Sequence, residues 1–268
     1  MSLQIGTISS DTLGVVVERY PSRVLPERKQ GVFEVIGRNG DIVDVYGGTY
    51  RQSFRNFTLN YEVYINAEAD GLEKKAREVA LWLYNSPSLG YAERGYIELQ
   101  DSYETDCYRE GYFIGPVDVE STLARFGRCT ISFSCKPQKF LLSGRTPVLL
   151  DSGVPATYTF TNPTIIGSMK GWASHPYIEF HNLTGNISIL FNQTDYYFFD
   201  VNIQGPGDYI IDTENESVKG PNGYDNTILQ PYGTYEMPVL YDEINIANSG
   251  LGSTYDADSF VLPRWWML

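Results

Sequence analysis

The second half of the chain is rich in carboxylates, the side chains that cleave glycosidic bonds and bind calcium. They include Asp195, Asp200, Asp208, Asp212, Glu214, Glu216, Asp256 and Asp258. Hydrolysis of a sugar bond requires two carboxylates that converge on it, and the spacing here does not predict such a pair. The runs 212–216 and 256–258 lack the spacing and the glycine of an EF-hand calcium loop. The sequence therefore predicts neither a catalytic pair nor a metal site.

The nucleophilic and basic side chains match no catalytic motif. The chain has two histidines, His175 and His181, and no Gly-X-Ser-X-Gly elbow accompanies them. It has no P-loop and no Gly-X-Gly-X-X-Gly run. Three cysteines, Cys107, Cys129 and Cys135, are too few and of the wrong parity for a disulfide framework, and we interpret them as buried thiols. We predict that the chain is not an enzyme and binds no cofactor.

Aromatic side chains are the remaining candidates for a binding site. Rings with a polar edge suit sugar stacking and protein interfaces, and the second half is rich in Tyr and Trp. The candidate binding surface is Tyr196, Tyr197, Trp265 and Trp266. Core and interface roles compete with a glycan site for these rings, and the sequence leaves the choice open.

Charge is distributed unevenly along the 268 residues. Residues 1–140 contain 16 Lys and Arg against 19 Asp and Glu, whereas residues 141–268 contain 4 against 14. Binding to DNA requires cations that displace counterions from phosphates, so this balance opposes sequence-specific binding to nucleic acid. A hydrophobic content of 42% suffices for two packed cores. No apolar run reaches the roughly 18 residues of a membrane helix and no signal peptide is evident, so we expect a protein made in the cytoplasm without a membrane partner.

The first half of the chain contains the pattern of a β-hairpin. Residues 32–36 and 42–46 are two β-branched runs joined through Arg38-Asn39-Gly40-Asp41. Asn-Gly is a strong hairpin signal, because a type I′ turn requires positive φ at both central residues. The pattern predicts a hairpin with its turn at Asn39-Gly40.

Two longer strands and one helix complete the first half. Apolar residues occupy alternate positions in residues 54–65 and again in residues 129–135, which predicts two half-buried strands. Apolar residues spaced by three and four predict a helix that starts after Asp70, a candidate N-cap, and ends at Ser86-Pro87.

The composition changes near residue 140 from charge-mixed to acidic and rich in Asn and Gly. Residues 137–160 combine prolines and glycines with polar residues, as interdomain segments do. Beyond them, short strands alternate with turns and no helical pattern occurs, which is typical of a β-sandwich or jelly roll. We predict a first domain at residues 1–140, a hinge at 141–160 and a second domain at 161–268.

Five short motifs follow one another along residues 25–137. They are Leu25-Pro26-Glu27-Arg28, Gly37-Arg38-Asn39-Gly40-Asp41, Trp82-Leu83, Gly127-Arg128 and Phe133-Ser134-Cys135-Lys136-Pro137. In this order they resemble the distal tail protein (Dit) family of long-tailed, non-contractile bacteriophages. The chain differs from the family pattern at Asn39, where Asp is common, and at Gln138, where an aromatic residue often follows the proline.

The resemblance implies a mostly β fold with two domains. The first would be a β-sandwich or barrel-like, ring-forming domain with one α-helix and a β-hairpin, and the second a galectin-like β-sandwich. The second half resembles that domain in residues 174–178, 210–214, 243–246 and 263–266. The resemblance implies structural or assembly roles, and no catalytic ones, for Gly37, Arg38, Asn39, Gly40, Asp41, Trp82, Arg128, Cys135 and Pro137.

The resemblance also implies a place in the virion. In the family, six copies form a ring at the tip of the tail tube and join the tube protein to the tail-associated lysin or fibre hub. By resemblance, this chain would be a baseplate protein of the tail tip, assembled in the host cytoplasm, whose channel passes DNA and whose second domain can hold receptor-binding proteins. Two alternatives stay open: a lectin-like adhesin that binds host cell-wall saccharide through the second domain, and a wall-degrading enzyme.

Overall fold

The computed structural model describes residues 1–19, 21, 25–34, 36, 39, 42–45, 53–67, 71–84, 95–117, 119–123, 126–151, 153–166, 172–191, 199–224, 239–248 and 252–268. Within these residues the regular structure is mostly β-strand, so the predicted fold class is confirmed. The chain divides into two compact units, unit 1 (Met1–Phe140 with Leu268) and unit 2 (Leu141–Met267).

Unit 1 is built around one large antiparallel sheet. Its strands are β1 (Leu3–Ile5), β2 (Ile8–Ser9), β3 (Val15–Arg19), β4 (Gln30–Phe33), β5 (Ile42–Val45), β6 (Phe57–Asn66), β7 (Ile97–Asp101), β8 (Cys107–Phe113), β9 (Glu120–Leu123) and β10 (Phe126–Leu141). Helix α1 covers Leu72–Tyr84, and a 3₁₀ turn covers Ser10–Leu13. The main sheet has the order β2-β1-β7-β8-β10-β6-β3, β9 also pairs with β10, and β4 and β5 form a sheet of their own.

The central pair β6 and β10 follows directly from the alternation in the sequence. Antiparallel pairing sets Tyr61 opposite Ile131 and Leu59 opposite Phe133. These four side chains are buried, whereas Asn60 between Leu59 and Tyr61 is exposed. Because successive side chains of a strand point to opposite faces, one face of each strand lies in the core of unit 1. Both predicted strands are confirmed.

Helix α1 lies against this core through a narrow apolar stripe. Val79, Trp82 and Leu83 are buried in the same cluster as the sheet residues, as their spacing along a 3.6-residue turn requires. The predicted helix is confirmed, while its proposed cap Asp70 and its proposed end at Ser86-Pro87 lie outside the described residues. No helix in the described part of the chain is long and apolar enough to cross a membrane.

Unit 2 is a sandwich of two antiparallel sheets. Its strands are β11 (Val148–Leu149), β12 (Ala156–Thr159), β13 (Tyr177–Leu183), β14 (Asn186–Phe191), β15 (Phe199–Gln204), β16 (Gly207–Asp212), β17 (Ser217–Gly220), β18 (Gly223–Tyr224), β19 (Glu243–Asn248) and β20 (Phe260–Leu262). The short strand β21 (Trp266–Met267) belongs to neither of these two sheets. One sheet has the order β11-β20-β13-β16-β17-β18 and the other β12-β19-β14-β15.

The core of unit 2 lies between the inward faces of these two sheets. Ile178, Phe180 and Ile211 from the six-stranded sheet, and Ile189 and Ile246 from the four-stranded sheet, are fully or almost fully buried. The residues between are partly or fully exposed, which is the alternation expected of a sandwich.

The segment 141–160, for which the sequence suggests a hinge, takes part in both sheets of unit 2. It forms a 3₁₀ turn at Leu142–Arg145 and then strands β11 and β12. In β12, Tyr158 lies opposite Ile244 of β19. Residues 148–149 and 156–159 of this segment are therefore held in strand pairs of unit 2.

Candidate assembly and binding surfaces

A two-stranded arm of unit 1 exposes several apolar side chains. We define the arm as residues 25–34 together with β5. Between residues 25 and 34, all of which the structure describes, no residue is buried. The apolar side chains Val32, Phe33 and Val43 keep 55%, 53% and 52% of their exposure, and Ile36 in the loop beyond β4 is fully exposed.

The arm is tied to the rest of unit 1 through backbone hydrogen bonds. The amide of Lys29 donates to the carbonyl of Ser53 over 2.8 Å, and the amide of Arg55 donates to the carbonyl of Glu27 over 2.8 Å. Val32 lies opposite Val43 in the antiparallel register, whereas Phe33 points to the other face. An isolated two-stranded hairpin is at best marginally stable in water, so an arm with apolar groups on both faces is suited to a partner that covers it.

The predicted hairpin is present, but its register differs from the prediction. The last pair of the arm is Phe33 with Ile42, which places the centre of the connection between residues 37 and 38. A two-residue turn at Asn39-Gly40 would instead set Phe33 opposite Tyr46. Register follows from pairing along the whole hairpin and from the length of its loop, so the turn signal of two residues does not determine it.

The turn motif itself is mostly beyond the described residues. Gly37, Arg38, Gly40 and Asp41 lie outside them, and Asn39 is exposed.

The other residues singled out in unit 1 do not form one site. Trp82, Cys135 and Pro137 are buried, and the first two belong to the core cluster. Arg128 lies on the opposite face of β10, where its guanidinium forms an ion pair with Glu18 of β3 and its side chain stays 59% exposed. Trp82, Cys135 and Pro137 are thus interior residues, and Arg128 links β10 to β3 on the surface of the sheet.

The cysteines are buried free thiols, as the sequence predicts. All three are buried. Burial raises the pKa of Cys107 to about 12, with a further contribution from Asp106 beside it, and raises the pKa of Cys129 to about 11 and that of Cys135 to about 12. Because only the thiolate is a strong nucleophile, these thiols are inert near neutral pH.

We expect Ellman's reagent to label almost none of the thiols in the native protein. The physical reason is twofold: the sulfurs are buried and their pKa values are raised. In guanidinium chloride, all three cysteines should react rapidly. Stoichiometric labelling of a native cysteine would contradict the burial of that residue.

Two cavities of unit 1 lie beside the core. One is an open groove lined by Leu83, Tyr84, Gly95, Ile97, Tyr112, Phe113 and Gly115. The other is a small polar cavity, where the ammonium of Lys139 lies 2.7 Å from a carboxylate oxygen of Glu104 and close to Tyr61. Burial raises the pKa of Tyr61 far above its ordinary value, so this phenol stays neutral. In the described parts of the chain, no group of three metal-ligating side chains occurs.

The strongest polar cluster of unit 2 surrounds Asp212. Arg264 Nη1 donates to Asp212 Oδ1 over 2.6 Å and Arg264 Nη2 to Oδ2 over 3.3 Å. The backbone amides of Glu214 and Asn215 also donate to Oδ1. Burial alone would raise the pKa of Asp212, but the hydrogen bonds and charge of Arg264, helped by Asn215, hold it below the ordinary value. The pair ties the chain end to β16.

The predicted binding surface of unit 2 is wrong in two of its members, because both tryptophans are buried. Trp265 and Trp266 are each only 4% exposed. The ring of Trp266 stacks on that of Trp172 at 5.2 Å, and its Nε1 donates to the carbonyl of Ala173 over 2.9 Å. Trp265 meets the ring of Phe160 edge to face. Both rings are therefore buried among other aromatic side chains, so they are core residues. Tyr196 and Tyr197 lie outside the described residues.

The fold is similar along its whole length to a solved phage protein. It matches the crystal structure of the Dit protein (gp 19.1) of SPP1, a paradigm of the hub adsorption apparatus in phages that infect Gram-positive bacteria. The match covers 100% of this chain and 99% of that chain, with a TM-score of 0.59 and 14% sequence identity. No protein-family model and no curated protein matches the sequence. The fold that the motif order implies is confirmed.

Proposed function

We propose that the chain is a distal tail protein, the structural hub of a siphophage tail tip. The observation that carries the proposal is the likeness to the SPP1 hub protein over both units and nearly all of both chains. The ordered motifs of residues 25–137 support it independently, because they do not depend on the fold comparison. A hub role requires surfaces that bind other proteins and requires no catalytic activity. The neighbour is likewise described as a hub of an adsorption apparatus.

In this role, six copies form a closed ring through unit 1. The arm supports the ring, because its apolar faces are exposed in the single chain and a neighbouring copy would cover them. A contact between two different surfaces of the same chain repeats from copy to copy and closes when the rotation fits. We assign the residues that join β4 to β5, Gly37, Arg38, Asn39, Gly40 and Asp41, to this contact, and Trp82, Cys135 and Pro137 to the interior of the ring-forming domain.

The ring joins the tail tube protein above to the tail-associated lysin or fibre hub below. DNA passes through its channel at the tail tip of the virion, and the acidic balance of the chain favours passage without retention, since cations are what bind phosphates. Unit 2 carries receptor-binding proteins. One observation favours the alternative of a lectin-like adhesin, namely the polar and aromatic side chains on the outer face of the six-stranded sheet in unit 2. No observation favours a wall-degrading enzyme.

Light scattering coupled to size exclusion tests the ring. We expect a species near six times the chain mass of 30.3 kDa at high protein concentration. The double variant Val32→Asp with Phe33→Asp should raise the concentration for half-assembly by more than about tenfold, because it places charges in an apolar contact. The melting temperature should hardly change, since both side chains are exposed in the monomer.

The matched control is Ile166→Asp. Ile166 is an apolar residue of unit 2 with 72% exposure, so the same kind of change should leave the assembly intact. A chain that stays monomeric at every concentration, both alone and with tail tube protein added, would contradict the hub role. If the double variant still forms the ring, the arm is not part of the interface between copies.

A further inference from the structure

The outer face of the six-stranded sheet in unit 2 carries a line of functional groups along β13. Tyr177, Glu179 and His181 point outward, whereas Ile178 and Phe180 between them are buried in the core. The side chains of Glu179 and His181 keep 24% and 28% of their exposure. A hydroxyl, a carboxylate and an imidazole therefore stand in one row at the surface of the sheet.

Contacts within the row hold the carboxylate in place. The hydroxyl of Tyr177 donates to Glu179 Oε2 over 2.9 Å. On the other side, Nε2 of His181 lies 3.6 Å from Oε1 of Glu179. A carboxylate has about four lone-pair sites, so Glu179 is oriented by its two neighbours and still has sites for hydroxyl groups of a ligand.

Apolar side chains flank the carboxylate on both neighbouring strands. In the sheet register, Phe260 of β20 and Ile210 of β16 lie directly opposite Glu179. The ring of Phe260 lies 6.2 Å from that of Tyr177 and 6.5 Å from that of His181. Polar groups that fix orientation within an apolar and aromatic surround are the composition of sites for small polar ligands.

The row continues to the edges of the sheet with exposed apolar groups. Leu149 pairs with Phe260 on one side, and on the other Lys219 pairs with both Ile210 and Tyr224. Leu149 and Tyr224 keep 64% and 78% of their exposure. The strip therefore crosses all six strands, which is long enough for a ligand with several repeating units.

Charge restricts the class of ligand. Residues 141–268 contain 4 Lys and Arg against 14 Asp and Glu, so a polyanion is repelled. The nearby guanidinium of Arg264 is already engaged by Asp212, and within the strip the charge of Lys219 is matched by that of Glu179, so the strip has no excess of positive charge. A neutral ligand with many hydroxyl groups meets no such penalty.

We propose that this face binds a neutral saccharide, with Glu179 as the central acceptor. Vicinal hydroxyl groups of one sugar donate to the carboxylate, His181 supplies a further polar contact, and the C–H face of the sugar lies against Phe260 or Ile210. The site goes beyond the hub role and does not depend on the ring. It gives the virion a direct contact with an uncharged polysaccharide surface.

The test uses the full chain and an array of defined neutral and sialylated oligosaccharides. Neutral glycans that bind are then titrated by saturation-transfer NMR, with dissociation constants in the millimolar range or tighter. We expect Glu179→Gln to weaken binding by about tenfold or more, because it removes the charge from the hydrogen bonds while keeping the shape. Melting temperatures confirm that each variant is folded.

The matched control is Glu243→Gln, the same change on the outward side of the other sheet. It should leave saccharide binding unchanged, as should the double variant Val32→Asp with Phe33→Asp, which separates this site from ring formation. The proposal is overturned if no neutral glycan binds, if only sialylated glycans bind, or if Glu179→Gln binds as the parent does. It is also overturned if Glu179→Gln weakens only the binding of a tail protein, since the face is then a protein interface.

Discussion

Replacing Phe133 by Ala is expected to destabilise unit 1 by about 3–5 kcal/mol, the range for a phenylalanine lost from a well-packed core. Phe133 is fully buried at the centre of β10. Its ring meets those of Tyr61 and Phe113 edge to face at 6.1 and 6.0 Å. Removal takes one ring contact from Tyr61 and one from Phe113, which keeps its contact with Tyr84, and it opens a cavity that the paired strands cannot close. Since domains are typically stable by only about 5–15 kcal/mol, the loss is a large fraction of the total.

Hydrogen exchange resolved by mass spectrometry measures this effect unit by unit. In Phe133→Ala, protection of the amides in β6 and β10 should fall steeply, whereas protection in β13 and β16 should hold. Tyr112→Ala is the control, because this aromatic residue lies on β8 of the same sheet but is 43% exposed. Equal losses of protection in both variants would show that the ring of Phe133 is not part of a tightly packed core.

The parts of the fold that the sequence predicts well are those with long, regular patterns. In β6 and β10, alternation over many residues decides which side chains are buried, and Tyr61 and Ile131 meet as that pattern requires. Helix α1 is predicted for the same reason, since its apolar stripe recurs over several turns. Such patterns are local in the chain, and tertiary contacts only reinforce them.

The parts that the sequence predicts poorly depend on partners far away in the chain. Trp265 and Trp266 have the composition of a binding surface, but the indole of Trp266 finds its acceptor at Ala173, more than ninety residues earlier. The arm is similar, because the register of Phe33 with Ile42 is set by pairing and not by the Asn-Gly signal. Segment 141–160 has a linker's composition, yet it pairs with β19 and β20, which come from the end of the chain.

The candidate sites show the same limit. Tyr177, Glu179 and His181 share a face through simple alternation, and the sequence alone contains that information. The flanking position of Phe260 does not follow from any local pattern, because β20 and β13 are about eighty residues apart and adjacent only in the folded sheet. A site on a β-sandwich is assembled across strands, so its members become visible only when the strand order is known.

Removing the charge of Arg264 is expected to have the largest effect in unit 2. The side chain of Asp212 is only 11% exposed beside Arg264, and Arg264→Asn removes its counter-charge. The expected cost is roughly 3 kcal/mol, the lower end for one lost partner of a buried pair, because Arg264 itself is 23% exposed. Asn is the suitable replacement, since Arg264 has a φ of 52°, a left-handed conformation that Asn tolerates better than most residues.

The pH dependence of stability separates the ion pair from other roles of Arg264. The pKa of Asp212 is lowered in the folded protein, so the carboxylate binds a proton more readily when the chain is unfolded. Its contribution is therefore fully present above the ordinary value of 3.8 and is lost as the pH falls through the lower folded value. Arg264→Asn should remove this acid-sensitive part, so that the parent and the variant converge in stability at low pH.

Asp212→Asn should show the same flattened profile, and the double variant should cost less than the sum of the two single changes. Parallel pH profiles for the parent and Arg264→Asn would show that the loss comes from packing on Tyr177, where the guanidinium also lies 5.2 Å from the ring centre, and not from the charge pair.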